Sequence, residues 1–99
     1  MVYFTSHAVK RAAQRNLSPE DIHYVLQHGS KIHNAGACFC YLGEKDIVPG
    51  DRKQDSIARL EGTTLVLDPE QESIVTLYRN RQKGMKAIRK KSSYTIFAG

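Results

Sequence analysis

The chain has 99 residues, 40% of them hydrophobic, and 15 Lys and Arg outnumber 10 Asp and Glu to give a formal net charge of +5. This length holds one hydrophobic core, so we expect a single domain over residues 1–99, and the excess positive charge favours a polyanionic partner. No apolar run approaches the roughly 20 residues of a membrane span and the start lacks a signal-peptide layout, so the sequence predicts a cytoplasmic protein without a membrane partner.

Two helices are predicted after a short apolar segment at residues 2–4. The first covers residues 6–14, with Thr5 or Ser6 as its N-cap. The second follows Ser18, which suits an N-cap, and Pro19 occupies its first position. Gly29 marks its end, and the apolar residues between recur at helical spacing. Both helices are therefore expected to dock on a core.

Segments with β propensity follow at residues 31–33, 37–42, 55–60, 63–68 and 73–79. Turn residues separate them at 34–36, 61–62 and 68–71, and these short connections favour an antiparallel meander. Residues 63–67 and 74–78 show little polar alternation, which is typical of central strands. Residues 48–54 are polar and predict an exposed loop.

The C-terminal residues 80–91 form a basic segment with few apolar side chains. Met85 and Ile88 are three residues apart, so a short basic helix could pack on the sheet through them. Residues 94–97 predict a further edge strand.

The cysteines and histidines do not have the spacing of a metal site. Cys38 and Cys40 share one face of a strand, where a disulfide would distort the backbone, and we expect both to be reduced. His23 and His28 are about 140° apart around a helix and share no face. No glycine-rich phosphate loop is present. The sequence predicts no metal and no cofactor.

The first helix carries a stripe of residues suited to RNA chemistry. His7, Arg11, Gln14 and Arg15 fall on one side of it, opposite its small apolar residues. A ribonuclease that uses no metal needs a proton shuttle for attack by the 2′-hydroxyl and cations for the phosphate, and imidazole and guanidinium match these tasks. A basic stripe on an exposed helix also serves solubility alone.

The end of the last predicted strand supplies further candidates. Thr76 and Tyr78 share a face because they are two residues apart. If that face meets the first helix, the site gains a hydroxyl, an aromatic platform for a base and the cation of Arg79. Thr76 and Tyr78 are also residue types that are common in strands without a functional role. Four basic residues of the C-terminal segment complete the predicted nucleic-acid contacts: Arg81, Lys83, Lys86 and Arg89.

Two motifs carry a family resemblance. The opening Phe4-Thr5-Ser6-His7-Ala8, continued by Arg11, Arg15 and Leu17-Ser18, and the later Ile74-Val75-Thr76-Leu77-Tyr78-Arg79 resemble a bacterial domain family of unknown function, of the DUF4258 type. That family is similar to the RelE/ParE superfamily of small toxins. The resemblance implies an α+β fold in which two N-terminal helices pack on a curved antiparallel β-sheet. It also implies His7 as acid and base, Arg11 and Arg15 as phosphate clamps, and Thr76 and Arg79 as support.

The functional hypothesis is therefore a metal-independent endoribonuclease of toxin type, with RNA as its substrate and an antitoxin protein as a partner. The alternative is a non-catalytic module that binds nucleic acid or a protein, for example in the manner of a gyrase inhibitor. A structural domain without a site is the third reading. The sequence predicts neither the target nor the oligomeric state.

Overall fold

The computed structural model describes residues 2–79, which form α-helices and one open five-stranded sheet. The helices are α1 (Ser6–Gln14), α2 (Pro19–His28) and the single-turn α3 (Asp55–Ala58). The strands are β1 (Tyr3–Phe4), β2 (Ser30–Asn34), β3 (Ala37–Tyr41), β4 (Thr63–Leu67) and β5 (Ser73–Arg79). The predicted α+β class, with N-terminal helices on an open sheet, is confirmed.

Both N-terminal helices begin and end where the sequence predicts. The Thr5 side chain accepts a hydrogen bond from the amide of Ala8 at 3.1 Å, which caps α1. Ser18 and Asp21 form a reciprocal capping box at the start of α2, with bonds of 2.9 and 3.1 Å. In each helix, an amide of the first turn that has no partner within the helix is thus hydrogen-bonded to the side chain of the cap residue.

The sheet is mixed, whereas the expectation was an antiparallel one. Strands β2 to β5 form the predicted antiparallel meander, and the order across the sheet is β1-β5-β4-β3-β2. β1 pairs with β5 in parallel, with Tyr3 opposite Ser73 and Phe4 opposite Ile74. A parallel pair needs a long connection, and here α1, α2 and three further strands lie between β1 and β5 in the chain.

Residues 55–60 were predicted as a strand, and this prediction is wrong. They contain α3, in which the amide of Arg59 donates to the carbonyl of Asp55 at 3.1 Å. Ile57 and Leu60 are three residues apart, a helical spacing that places both toward the core. The turn at residues 61–62 therefore joins a helix to β4 and is no hairpin; Gly62 provides its positive φ of 89°.

The main core lies between the helices and one face of the sheet. Its central side chains come from α1, α2 and strands β3 to β5, and they include Ala8, Ala12, Ile22, Val25, Cys38, Cys40, Leu65, Leu67, Ile74 and Leu77. A smaller cluster of Ala37, Phe39 and Val66 occupies the other face. All five residues of β4 are buried, which confirms it as a central strand.

The turns and loops largely follow the sequence. Ala35 and Gly36 both have positive φ, at 54° and 77°, as a tight β2–β3 hairpin requires. The polar loop at 48–54 contains a 3₁₀ turn, and Tyr24 of α2 anchors it by donating to Asp51 at 2.9 Å. Cys38 and Cys40 are buried free thiols, as predicted.

The predictions for the C-terminal segment fall outside the described residues. They comprise the basic segment at 80–91, its short helix, the edge strand at 94–97 and the nucleic-acid contacts Arg81, Lys83, Lys86 and Arg89. Among residues 2–79, no helix has the length and apolar character needed to cross a membrane.

Candidate nucleic-acid interface

A bulge in β5 fixes how the first helix lies on the sheet. Leu67 pairs with Ile74 but Val66 pairs with Thr76, so Val75 is the additional residue in β5. The Thr5 hydroxyl donates to the carbonyl of Val75 at 2.9 Å, which joins the start of α1 to the bulge. From this anchor α1 packs along β5.

At the far end of α1, a groove of about 640 Å³ opens between the helix terminus and the ends of β4 and β5. We call it the arginine groove, because three of its lining residues are arginines. Its full lining is Gln14, Arg15, Asn16, Leu17, Arg59, Thr63, Tyr78 and Arg79. The volume lies within the range of small-molecule sites in proteins.

Arg59 is held in the groove by contacts with Asp21 and Asn16. One terminal nitrogen lies 2.7 Å from a carboxylate oxygen of Asp21, and the other donates to the Asn16 carbonyl at 3.2 Å. The guanidinium therefore ties the α1–α2 turn to the end of α3. Sequence reasoning missed Arg59 because it assigned this residue to a strand; its pairing joins positions 38 residues apart.

Arg79 and Thr63 form the strand side of the groove. They are opposite each other in the β4–β5 register, and Arg79 Nε donates to the carbonyl of Glu61 at 3.0 Å. Thr63 is only 2% exposed although it lines the groove. Its hydroxyl adds a polar group to the lining of the groove.

The predicted stripe on α1 is only partly brought into this groove. Arg15, the residue that caps the C-terminus of α1, lines it, but His7 and Arg11 do not. At about 1.5 Å of rise per residue, His7 lies roughly 12 Å along the helix from Arg15. His7 is exposed and Arg11 is half-buried, with one terminal nitrogen 3.5 Å from the side-chain oxygen of Gln14. The two ends of the stripe therefore do not line one groove.

Thr76 and Tyr78 share a face, as expected, but that face does not meet the first helix. After Ile74 the bulge reverses which side chains of β5 point to each face of the sheet. Leu77 therefore packs in the core on the helix side, whereas Thr76 is paired with Val66, a member of the cluster on the other face. Tyr78 packs against that other cluster and reaches only the border of the arginine groove. Thr76 is consequently separated from His7 by the sheet.

Two ionisable groups around the groove have shifted pKa values. Burial raises the pKa of Tyr78 and outweighs its hydrogen bond with Thr64, which acts in the opposite direction, so the phenol is neutral at physiological pH. Burial also acts to raise the pKa of Asp21, but the Ser18 amide and the Arg59 guanidinium outweigh it and leave this pKa lowered. Asp21 thus remains a carboxylate and keeps Arg59 in place.

Within residues 2–79, no three His, Cys, Asp or Glu side chains come close enough together to hold a metal ion. The residues that line the arginine groove carry positive charge, amide groups, two hydroxyls and one aromatic ring. These are groups that bind phosphates and bases.

The comparisons with known proteins give one match. The model of the family described as "Domain of unknown function (DUF4258)" matches residues 4–88, which include α1, α2 and the whole sheet apart from Tyr3. No curated protein and no solved structure matches the chain.

Proposed function

We propose that this chain, which belongs to the DUF4258 family, binds single-stranded RNA in the arginine groove and cleaves it as a metal-independent endoribonuclease of toxin type. The observation that carries the proposal is the convergence of Arg15, Arg59 and Arg79 on one groove of about 640 Å³. Guanidinium groups pair with phosphate oxygens through two parallel hydrogen bonds, and a net charge of +5 attracts the polyanion from a distance.

The ligand is an unpaired strand because the groove is a pocket and not a flat surface. A base must leave a helical stack before it can enter a pocket, and single strands meet this condition at little cost. Tyr78 lines the groove and supplies an aromatic side chain for contact with a base.

Cleavage is assigned to His7, which is exposed on the same helix as Arg15. Neutral imidazole accepts the proton of a ribose 2′-hydroxyl while that oxygen attacks the adjacent phosphorus. The bond from phosphorus to the 5′-oxygen breaks, and the leaving oxygen takes a proton from water. The products are a 2′,3′-cyclic phosphate and a 5′-hydroxyl, and the proposal assigns to Arg11, one helical turn from His7, the task of offsetting the charge on the phosphorane. Phosphates held about 12 Å away by Arg15 keep the strand in register.

A second candidate, an RNA-binding module without catalysis, is favoured by one observation. The bulge turns Thr76 to the opposite face of the sheet, so the hydroxyl predicted to support His7 is not beside it. The two candidates share the groove and differ only in the role of His7.

The test is incubation of total RNA with purified protein in EDTA, followed by analysis of the fragments and their 3′ ends. The wild type is expected to leave cyclic phosphates, and His7→Ala is expected to lose cleavage while binding RNA with unchanged affinity. His33→Ala is the matched control, because His33 is also exposed but lies on β2.

Each outcome separates the candidates. Binding without cleavage by the wild type rejects the endoribonuclease and favours the binding module. Equal cleavage by His7→Ala rejects the role of His7. Absence of RNA binding by the wild type rejects both candidates.

A further inference from the structure

An ion pair joins one arginine of the arginine groove to a carboxylate outside the groove lining. Arg59 lines the groove, whereas Asp21, in the first turn of α2, does not. The nitrogen and oxygen of this pair are 2.7 Å apart, the short distance of a charge-assisted hydrogen bond. One guanidinium that the groove presents to a ligand therefore already has an anionic partner within the protein.

The carboxylate is the better anchored member of this pair. The Asp21 oxygen that accepts from Arg59 also accepts from the Ser18 amide at 2.9 Å. The Asp21 side chain is 16% exposed, while that of Arg59 is 42% exposed. The carboxylate is thus fixed by the start of its own helix, and the guanidinium is the member that a ligand can reach.

A phosphate that enters the groove has to compete with Asp21 for Arg59. Carboxylate and phosphate both accept charge-assisted hydrogen bonds from a guanidinium. Asp21 is already held in place by the fold, whereas RNA loses translational and rotational freedom when it binds. The pKa of Asp21 is lowered, so the competing group is ionised at neutral pH. The internal partner is therefore favoured over a phosphate at this guanidinium.

We propose that Asp21 limits the RNA affinity of the arginine groove by keeping Arg59 in an ion pair and away from phosphates. In the wild type, the pair stabilises the contact between the α1–α2 turn and the end of α3, and RNA is bound without Arg59. Neutralising Asp21 is expected to release Arg59 as an additional phosphate contact. Stability and RNA affinity should therefore change in opposite directions in one variant, which a purely structural role of Asp21 does not predict.

This inference rests on the proposed RNA binding and adds a residue that limits it. The test is fluorescence anisotropy with a labelled single-stranded RNA hexamer at four or more salt concentrations. Asp21→Asn is expected to bind more tightly than the wild type at about 50 mM salt, with a slope of log K against log salt that is steeper by about 0.7, the contribution of one phosphate contact. Its advantage over the wild type should fall roughly 2.6-fold between about 50 and 200 mM.

Glu20→Gln is the matched control. Glu20 precedes Asp21 in the first turn of α2, is exposed and is not the partner of Arg59. The control changes the net charge by the same amount, and its slope is expected to equal that of the wild type. Circular dichroism at the assay temperature establishes that each variant is folded.

Two variants of Arg59 identify the released group. Adding Arg59→Ala to Asp21→Asn is expected to restore the slope of the wild type, because the released guanidinium is then missing. Arg59→Ala alone is expected to leave the slope unchanged, since the wild type does not use Arg59 for a phosphate. This last comparison does not depend on the stability of Asp21→Asn.

The failures are distinguishable. If the wild type binds no RNA at any salt concentration, the proposed function is rejected together with this inference. The limiting role of Asp21 is rejected, while RNA binding stands, if Asp21→Asn keeps the slope of the wild type or if Glu20→Gln steepens it equally. A lower magnitude of the slope in Arg59→Ala, or a steeper slope that persists in the double variant, rejects it as well.

Discussion

Replacing Arg15 by Ala tests whether RNA phosphates enter the arginine groove. Arg59 is already compensated by a carboxylate at 2.7 Å, so Arg15 is the guanidinium whose replacement tests for a phosphate contact. For single strands each neutralised phosphate contributes about −0.7 to the slope of log K against log salt. One contact gives a slope of roughly −0.7, so raising salt from about 50 to 200 mM weakens this part of the binding roughly 2.6-fold.

Arg15→Ala is expected to remove one contact, so that the magnitude of the total slope falls by about 0.7. The assay is anisotropy with a labelled RNA hexamer at four or more salt concentrations. Lys31→Ala is the control, since Lys31 is exposed on β2, three strands from β5 and about 14 Å away. Equal changes of slope in the two variants would refute the reasoning, because the attraction would then depend on net charge and not on the groove.

Three further predictions concern the fold. Asp21→Asn is expected to lower the free energy of unfolding by about 1–2 kcal/mol, from the lost cap and ion pair. Because the pKa of Asp21 is lowered in the folded state, its contribution is complete above about pH 4, the pKa range of an unfolded Asp, and is lost below it; urea titrations at pH 7 and pH 3 should differ less for the variant. Leu65 is fully buried, and Leu65→Ala is expected to lower the free energy of unfolding, measured by urea titration, by about 2–5 kcal/mol. Leu65→Met is expected to lower it by less than about 1.5 kcal/mol. Burial raises the pKa of Cys40 to about 11 and also raises that of Cys38, so a thiol reagent at pH 8 should label both cysteines only after denaturation; rapid labelling of the native protein would contradict this.

The helices and the meander could be predicted from sequence because their determinants are local. The cap residue Ser18, Pro19 and Gly29 lie within one short stretch of sequence and give the limits of α2, and the turn residues mark the hairpins. The wrong prediction of a strand at residues 55–60 also has a local cause. Ile57, Ala58 and Leu60 suit either a short strand or a single helical turn, and only their contacts with the core decide between them.

The remaining features depend on distant parts of the chain. β1 pairs with β5 across about seventy residues, and no pattern near Tyr3 indicates its partner. The bulge at Val75 has no glycine or other marker, yet it decides which face Thr76 occupies. A single added residue therefore places Thr76 and Tyr78 on the face of the sheet opposite to the one that the helices cover.

The arginine groove illustrates the same limit. Arg15 was a candidate because helical periodicity is visible in sequence, and Arg79 because it ends a predicted strand. Arg59 and Thr63 join them only after α1 has been placed along β5 and the register of β4 is known. The charge on each residue was evident from the sequence, but their convergence was not.

The most direct measurement of RNA binding in the groove is a ¹H–¹⁵N NMR titration of the labelled protein with a short single-stranded RNA. We expect the largest amide shifts at Arg15, Asn16 and Thr63, with β2 unchanged. Saturating shifts confined to β2 or to the loop at 48–54, with the groove unmoved, would show that RNA binds elsewhere and would contradict the proposed site.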